Sequence, residues 1–91
     1  MTHAIVLIES ERDALSTLGG ALADIEGVRE AYSVTGEWDF VAIVAVKRHE
    51  DLAPIVTTTI GQLAGVQRTQ TMVAFEAFSR HDLESLFSIG S

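Results

Sequence analysis

The sequence predicts an α+β domain, a four-stranded antiparallel sheet with two helices on one face, built from two β-α-β units in tandem. Three observations predict it. Aligning Gly65 with Gly27, an offset of 38 positions, brings Val66 onto Val28, Leu63 onto Ile25, Ile60 onto Leu22 and Val56 onto Leu18, so one unit occurs twice. Between the two units, "YSVTGEWDFVAIVAV" places two strand-like runs on either side of a short polar insert, the pattern of an antiparallel hairpin. The runs "AIVLI", "FVAIVAV" and "MVAFEAF" are short and apolar, with much β-branching in the first two, as strands of a well-covered sheet are. Right-handed crossovers from two β-α-β units interleave their strands and put both helices on the same side, which is the ferredoxin-like βαββαβ plait.

Each element has its own signal. "HAIVLIE" (His3 to Glu9) is an apolar run ended by Ser10 and reads as the first strand. Ser10 and Asp13 have the spacing of a capping box, with the acid in place of the usual Glu or Gln, and are expected to open the first helix. Leu15, Leu18, Leu22 and Ile25 recur at helical spacing to give it one apolar face, and Gly27 is placed to stop it. Gly19 and Gly20 each cost about 1 kcal/mol relative to alanine inside a helix, which implies close packing onto something flat. "VREAYSVT" (Val28 to Thr35) alternates, with Val28, Tyr32 and Val34 expected on one face, and Phe40 to Lys47 is apolar on both. The second helix starts around "HEDLAP", where Pro54 fits only a first turn. Its inner face is Leu52, Ile55 or Val56, Thr59 or Ile60, and Leu63, with Gly65 as its stop. "VTTTI" opposes helix by propensity, so tertiary packing has to hold it. "VQRTQTMVAFEAF" (Val66 to Phe78) is the last strand. Residues 1–78 therefore make one domain, and residues 79–91 a tail in the form of a short helix, whose Leu83, Leu86, Phe87 and Ile89 suit cover for a sheet edge or a subunit contact.

Composition narrows the function. A chain of 91 residues buries only about 60 to 65% of its unfolded surface and is marginally stable without outside help. With no cysteine there are no disulfides, thiolate metal sites or thiol nucleophiles, and His3, His49 and His81 lack any paired ligand spacing, so neither metal nor cofactor is expected. A partner chain remains as the stabiliser. Strands apolar on both faces agree, because a sheet with one wet face should alternate, and an open apolar face that large calls for a second copy, sheet against sheet. Thirteen acidic against six basic side chains give a net charge of −7, and the basic ones are scattered apart from Lys47 and Arg48. Direct DNA binding needs a clustered positive face, and a bilayer span needs about 18 consecutive apolar residues. Neither is present in the sequence, nor is a signal peptide, so a cytoplasmic location is expected.

"YSVTGEWDFVAIVAVK", followed after a helix by "LAGVQRTQTMVAFEAF", resembles the effector-binding domain of the Lrp/AsnC family of amino-acid-responsive transcription regulators. The matching elements are Val34-Thr35-Gly36 with Asp39 three residues after the glycine, and Gly65-Val66 leading to Thr69 and Thr71. Family members usually carry an N-terminal helix-turn-helix domain. Here the first strand begins within a few residues of Met1, so the expectation is a stand-alone effector-binding domain without one. The resemblance further implies dimers formed through the sheets, association of dimers into rings, often octamers of four dimers, and a free amino acid held between dimers near the loop joining strands two and three.

That implication gives "TGEWD" (Thr35 to Asp39) a chemistry. Gly36 accepts positive φ, which lets the backbone N–H groups of Gly36, Glu37 and Trp38 turn toward an anion, while Asp39 suits an ammonium. Thr69 and Thr71 lie two apart, share one strand face and offer hydroxyls. The expected effector site is Thr35, Gly36, Glu37, Trp38, Asp39, Thr69 and Thr71, with Trp38 standing where the family more often has Tyr or Phe. The same residues also suit an ordinary turn and an ordinary strand. The function expected is a non-catalytic, oligomeric amino-acid-binding module acting on transcription or metabolism through partners. Two alternatives share the fold: a dimeric α/β-barrel enzyme such as a small monooxygenase, or a ligand-free assembly partner of full-length Lrp/AsnC regulators. The enzyme is disfavoured because the inward positions are Val, Ile, Leu and Phe, with no nucleophile and base, carboxylate dyad or ligand set to assemble. Another amino-acid-binding plait, the ACT domain, places its ligand elsewhere and lacks this loop and threonine pairing.

Overall fold

The computed structural model describes residues 1–78, and the tail 79–91 with its expected helix lies outside them. Strands β1 (Thr2–Ser10), β2 (Val28–Ser33), β3 (Phe40–Val46) and β4 (Val66–Val73) form one sheet in the order β2-β3-β1-β4, and every neighbouring pair is antiparallel. Helix α1 (Leu18–Ala23) joins β1 to β2, and helix α2 (Pro54–Ile60) joins β3 to β4. This is the interleaved order that two crossovers of the same hand produce.

The repeat is visible in the hydrogen bonds. Ile25 N–H donates to Leu22 O at 3.2 Å and Val28 N–H to Ile25 O at 3.0 Å; at the same offset Leu63 N–H donates to Ile60 O at 3.1 Å and Val66 N–H to Leu63 O at 3.2 Å. Both turns end on a glycine with positive φ, 99° at Gly27 and 96° at Gly65. A side chain at either would also collide, with Ile55 of α2 at Gly27 and with Ala14 at Gly65, so each unit's glycine is where the other unit's helical layer comes closest.

One sheet face packs on the helices. Ala4, Val6 and Ile8 of β1 pair across β3 with Val44, Ala42 and Phe40, and all six are buried with Leu18, Leu22, Leu52 and Ile60 from the helical side. The other face carries Ile5, Leu7, Val41, Ile43 and Met72, and among the described residues no element covers it. The expectation for Gly19 holds, since a Cβ there would lie 3.2 Å from the Phe40 ring, whereas Gly20 has open space beside it.

Several local expectations need correction. The capping box at Ser10 and Asp13 does not form: β1 continues through Ser10, the Ser10 hydroxyl donates to Glu11 O at 2.7 Å, and the chain turns through a 3₁₀ turn at Arg12–Ala14. That turn shifts the helical phase, so Ala14 is buried in place of Leu15, which is 47% exposed. In β2 a bulge between Val28 and Glu30 shifts the alternation, so Ala31 joins Val28 against the core and Tyr32 is turned outward. Also, β2 stops at Ser33 and β4 at Val73, short of Thr35 and Phe78. Helix α1 ends at Ala23 and α2 at Ile60, so Gly27 and Gly65 end the turns into β2 and β4 rather than stopping the helices. The winding of α2 is the wide π form, closed by Gly61 N–H donating to Val56 O at 2.9 Å, which spaces out the β-branched run that crowds an α-helix.

Candidate functional site

The loop between β2 and β3 is fastened at its base. Val34 N–H donates to Asp39 O at 3.0 Å, and Asp39 N–H donates to Ile8 O at 2.9 Å. The Asp39 carboxylate adds a third bond, Oδ2 accepting from Ser10 N–H at 2.7 Å. Backbone and side chain of Asp39 thus both bind the end of β1, and its Oδ1 makes no hydrogen bond among the described residues. Gly36 has φ 107°, and no atom lies within 4 Å of where a Cβ would sit, so glycine is required there for conformation rather than space. Thr35, Gly36 and Glu37 are exposed at the tip, and Trp38 and Asp39 are half-buried below it.

Trp38 reaches over the sheet. The Arg68 guanidinium lies 4.4 Å from the centroid of its ring, within cation–π range, and Arg68 Nη2 lies 3.5 Å from Glu9 Oε2. Glu9 and Arg68 are register partners on β1 and β4, one residue along from the buried Ile8, so both belong to the open face. The loop end of that face therefore carries an aromatic ring, a cation over it, and a carboxylate. Tyr32, on the same face further out, donates to Glu30; that hydrogen bond, then desolvation and the Glu30 charge, hold the phenol above its ordinary pKa.

Thr69 and Thr71 pair with Ile8 and Val6, which are buried, so both threonines share a face as expected, but it is the helix-covered one. Thr71 lines a groove of about 400 Å³ between α2 and β4 together with His49, Leu52 and Val56. The structure thus brings Thr35 through Asp39 together and sets the two threonines on the opposite side of the sheet from Trp38. It also adds two residues that sequence reasoning passed over, Glu9 as a strand end and Arg68 as one scattered base. Their sequence signal is weak: parity puts each on one strand face, but only the β1–β4 register brings them opposite each other. Among the described residues no cluster of three or more His, Asp or Glu side chains could hold a metal ion, and no helix is long and apolar enough to cross a membrane.

Comparison with known proteins adds identity to this geometry. Residues 3–83 match the model of the Lrp/AsnC ligand binding domain. An uncharacterized HTH-type transcriptional regulator of Pyrococcus furiosus is 36% identical over 77 residues, covering 81% of this chain and 51% of its own length. The chain spans about half the length of the curated relatives it matches. Among solved structures, TTHA0845 from Thermus thermophilus superposes with a TM-score of 0.82 at 45% identity, covering 88% of this chain and 100% of that one. A transcriptional regulator of Neisseria meningitidis, solved as its L-Met complex, shares the fold with a TM-score of 0.77 at 17% identity, covering 87% of this chain and 53% of that one. With a family match along most of its length and the sheet order to go with it, the chain belongs to the Lrp/AsnC ligand-binding domain family.

Proposed function

We propose that this chain is a non-catalytic sensor of free amino acids, working as an oligomer and acting on transcription or metabolism through protein partners. The observation that carries the reading is the ligand-binding-domain match over residues 3–83, which includes the whole of the fastened Thr35–Asp39 loop. The L-Met complex of the Neisseria meningitidis regulator supports an amino acid as the effector class. Gly36, Glu37 and Trp38 offer backbone N–H groups to the ligand, with Thr35 beside them, and Asp39 keeps one carboxylate oxygen for an ammonium. Thr69 and Thr71 stand apart from these contacts and suit a second lining on the helical side. Apolar side chains on the open sheet face support a homodimer through that face, with dimers joining into a ring such as an octamer. A net charge of −7 with scattered basic residues supports action through a DNA-binding partner, a full-length Lrp/AsnC regulator among them, and a regulator's role suits the cytoplasm.

Ligand binding to the native state raises the melting temperature by mass action. A thermal-shift screen of the whole chain against the twenty L-amino acids at millimolar concentration should therefore raise it for at least one. No shift with any of them removes the sensor reading.

A further inference from the structure

We propose that residues 74–78 form an arm that joins one dimer to the next, with Phe75 and Phe78 entering the groove between α2 and β4 of a second copy. This rests on the assembly of dimers into a ring and names one contact of that ring. The arm begins where the sheet ends, at the end of the sheet away from the loop between β2 and β3. Ala74 N–H donates to His3 O at 2.9 Å, the last such bond to β1 among the described residues, and residues 75–78 are all exposed. Phe78 is 87% exposed and Phe75 wholly so. A single surface phenylalanine is ordinary, but two of them three residues apart, continuous with the half-open Val73, make an apolar patch that calls for a partner.

The groove fits what the arm carries. Leu52 is buried at its floor, and Ala53, Val56 and Val73 give it apolar walls. A cavity of about 150 Å³ accommodates a benzene ring, so a groove of about 400 Å³ has room for two phenyl rings. Its own arm does not enter it, since Phe75 lies two residues beyond Val73 of the wall and is still wholly exposed. The groove opens on the helical side, whereas the copy we place over the sheet lies against the opposite face, so the arm that fills it comes from another dimer. Because Val73 both lines the groove and leads into the arm, the two lie side by side on each chain, and a two-fold axis pairs arm with groove twice. Four buried phenylalanines remove roughly 600 to 1,000 Å² from water, about half of a standard interface. Two chains meeting by their arms alone are therefore held weakly, while dimers linked at several such points of a ring are held well.

The test is light scattering after size exclusion on the whole chain, as wild type, as Phe75→Ser with Phe78→Ser, and as Ala53→Glu. All three positions are exposed in the single chain, so the variants should fold with the wild-type melting profile of an isolated dimer. Wild type should run as a multiple of a dimer, and both variants should fall to the mass of two chains, one by emptying the arm and the other by placing a carboxylate in the groove. Variants that keep the wild-type mass overturn the arm contact while the ring stands. A wild type that is itself only a dimer removes the ring and this contact together, leaving the amino-acid reading to its own thermal-shift screen. The receiving groove is identified by a cysteine pair, Ala53→Cys with Glu76→Cys, in a chain that has no other cysteine. Oxidation should give disulfide-linked chains on a non-reducing denaturing gel. A disulfide closed within one chain, or none between chains, overturns the exchange in favour of an arm that stays on its own subunit.

Discussion

Three glycines fix the backbone of this domain, and they do so for different physical reasons. At Gly36 the constraint is torsional alone, since φ is 107° and the space around it is empty. Gly27 and Gly65 combine positive φ with a contact from the opposing helical layer. A Gly36→Ala variant should therefore lose about 1 to 2 kcal/mol, the penalty of placing a side chain in left-handed backbone. Gly65→Ala meets Ala14 as well and should lose distinctly more, read as a larger fall in the urea midpoint at unchanged slope. Equal losses at the two positions would mean that the turn at Gly65 relaxes away from Ala14. The same scale shows what can be read in sequence. Gly36 as a turn former follows from local chemistry, whereas Gly65, read in sequence as a helix stop, sits in the turn before β4, and the contact that makes it irreplaceable joins residues far apart in the chain.

Among the elements, legibility follows the reach of the interactions that set them. The tandem units are plain in the sequence because glycine punctuation and apolar phase are local signals, and their hydrogen bonds repeat at the same offset in the structure. The winding of α2 and the bulge in β2 are not local. Both are settled by how the element seats on the sheet, so Ala31 rather than Tyr32 faces inward and Gly61 closes a π turn. For the candidate site the division is similar. A five-residue loop stands out by its composition, but the Trp38, Arg68 and Glu9 cluster depends on β1–β4 register, and the face taken by Thr69 and Thr71 depends on which side the helices cover. Parity gave their common face; only packing says which one.

At the scale of the molecule, the fold divides the sheet into a face that makes the core and a face still open. Ile5, Leu7, Val41 and Ile43 form the centre of the open face, and a second copy is the cover we propose for it. Ile43 lies opposite Ile5 on one side and Glu30 on the other, near the middle of that surface. Ile43→Glu should drop the mass found by light scattering to that of one chain, because it places an uncompensated charge in an apolar contact. A variant that stays assembled would show that the chains meet elsewhere. The central claim, an amino acid bound at the loop between β2 and β3, has a reporter built into the chain, since Trp38 is its only tryptophan. Titrating the intact protein with the amino acid selected by thermal shift should change the tryptophan emission in a saturable way. Binding with no change in that emission would contradict a site at the Trp38 loop.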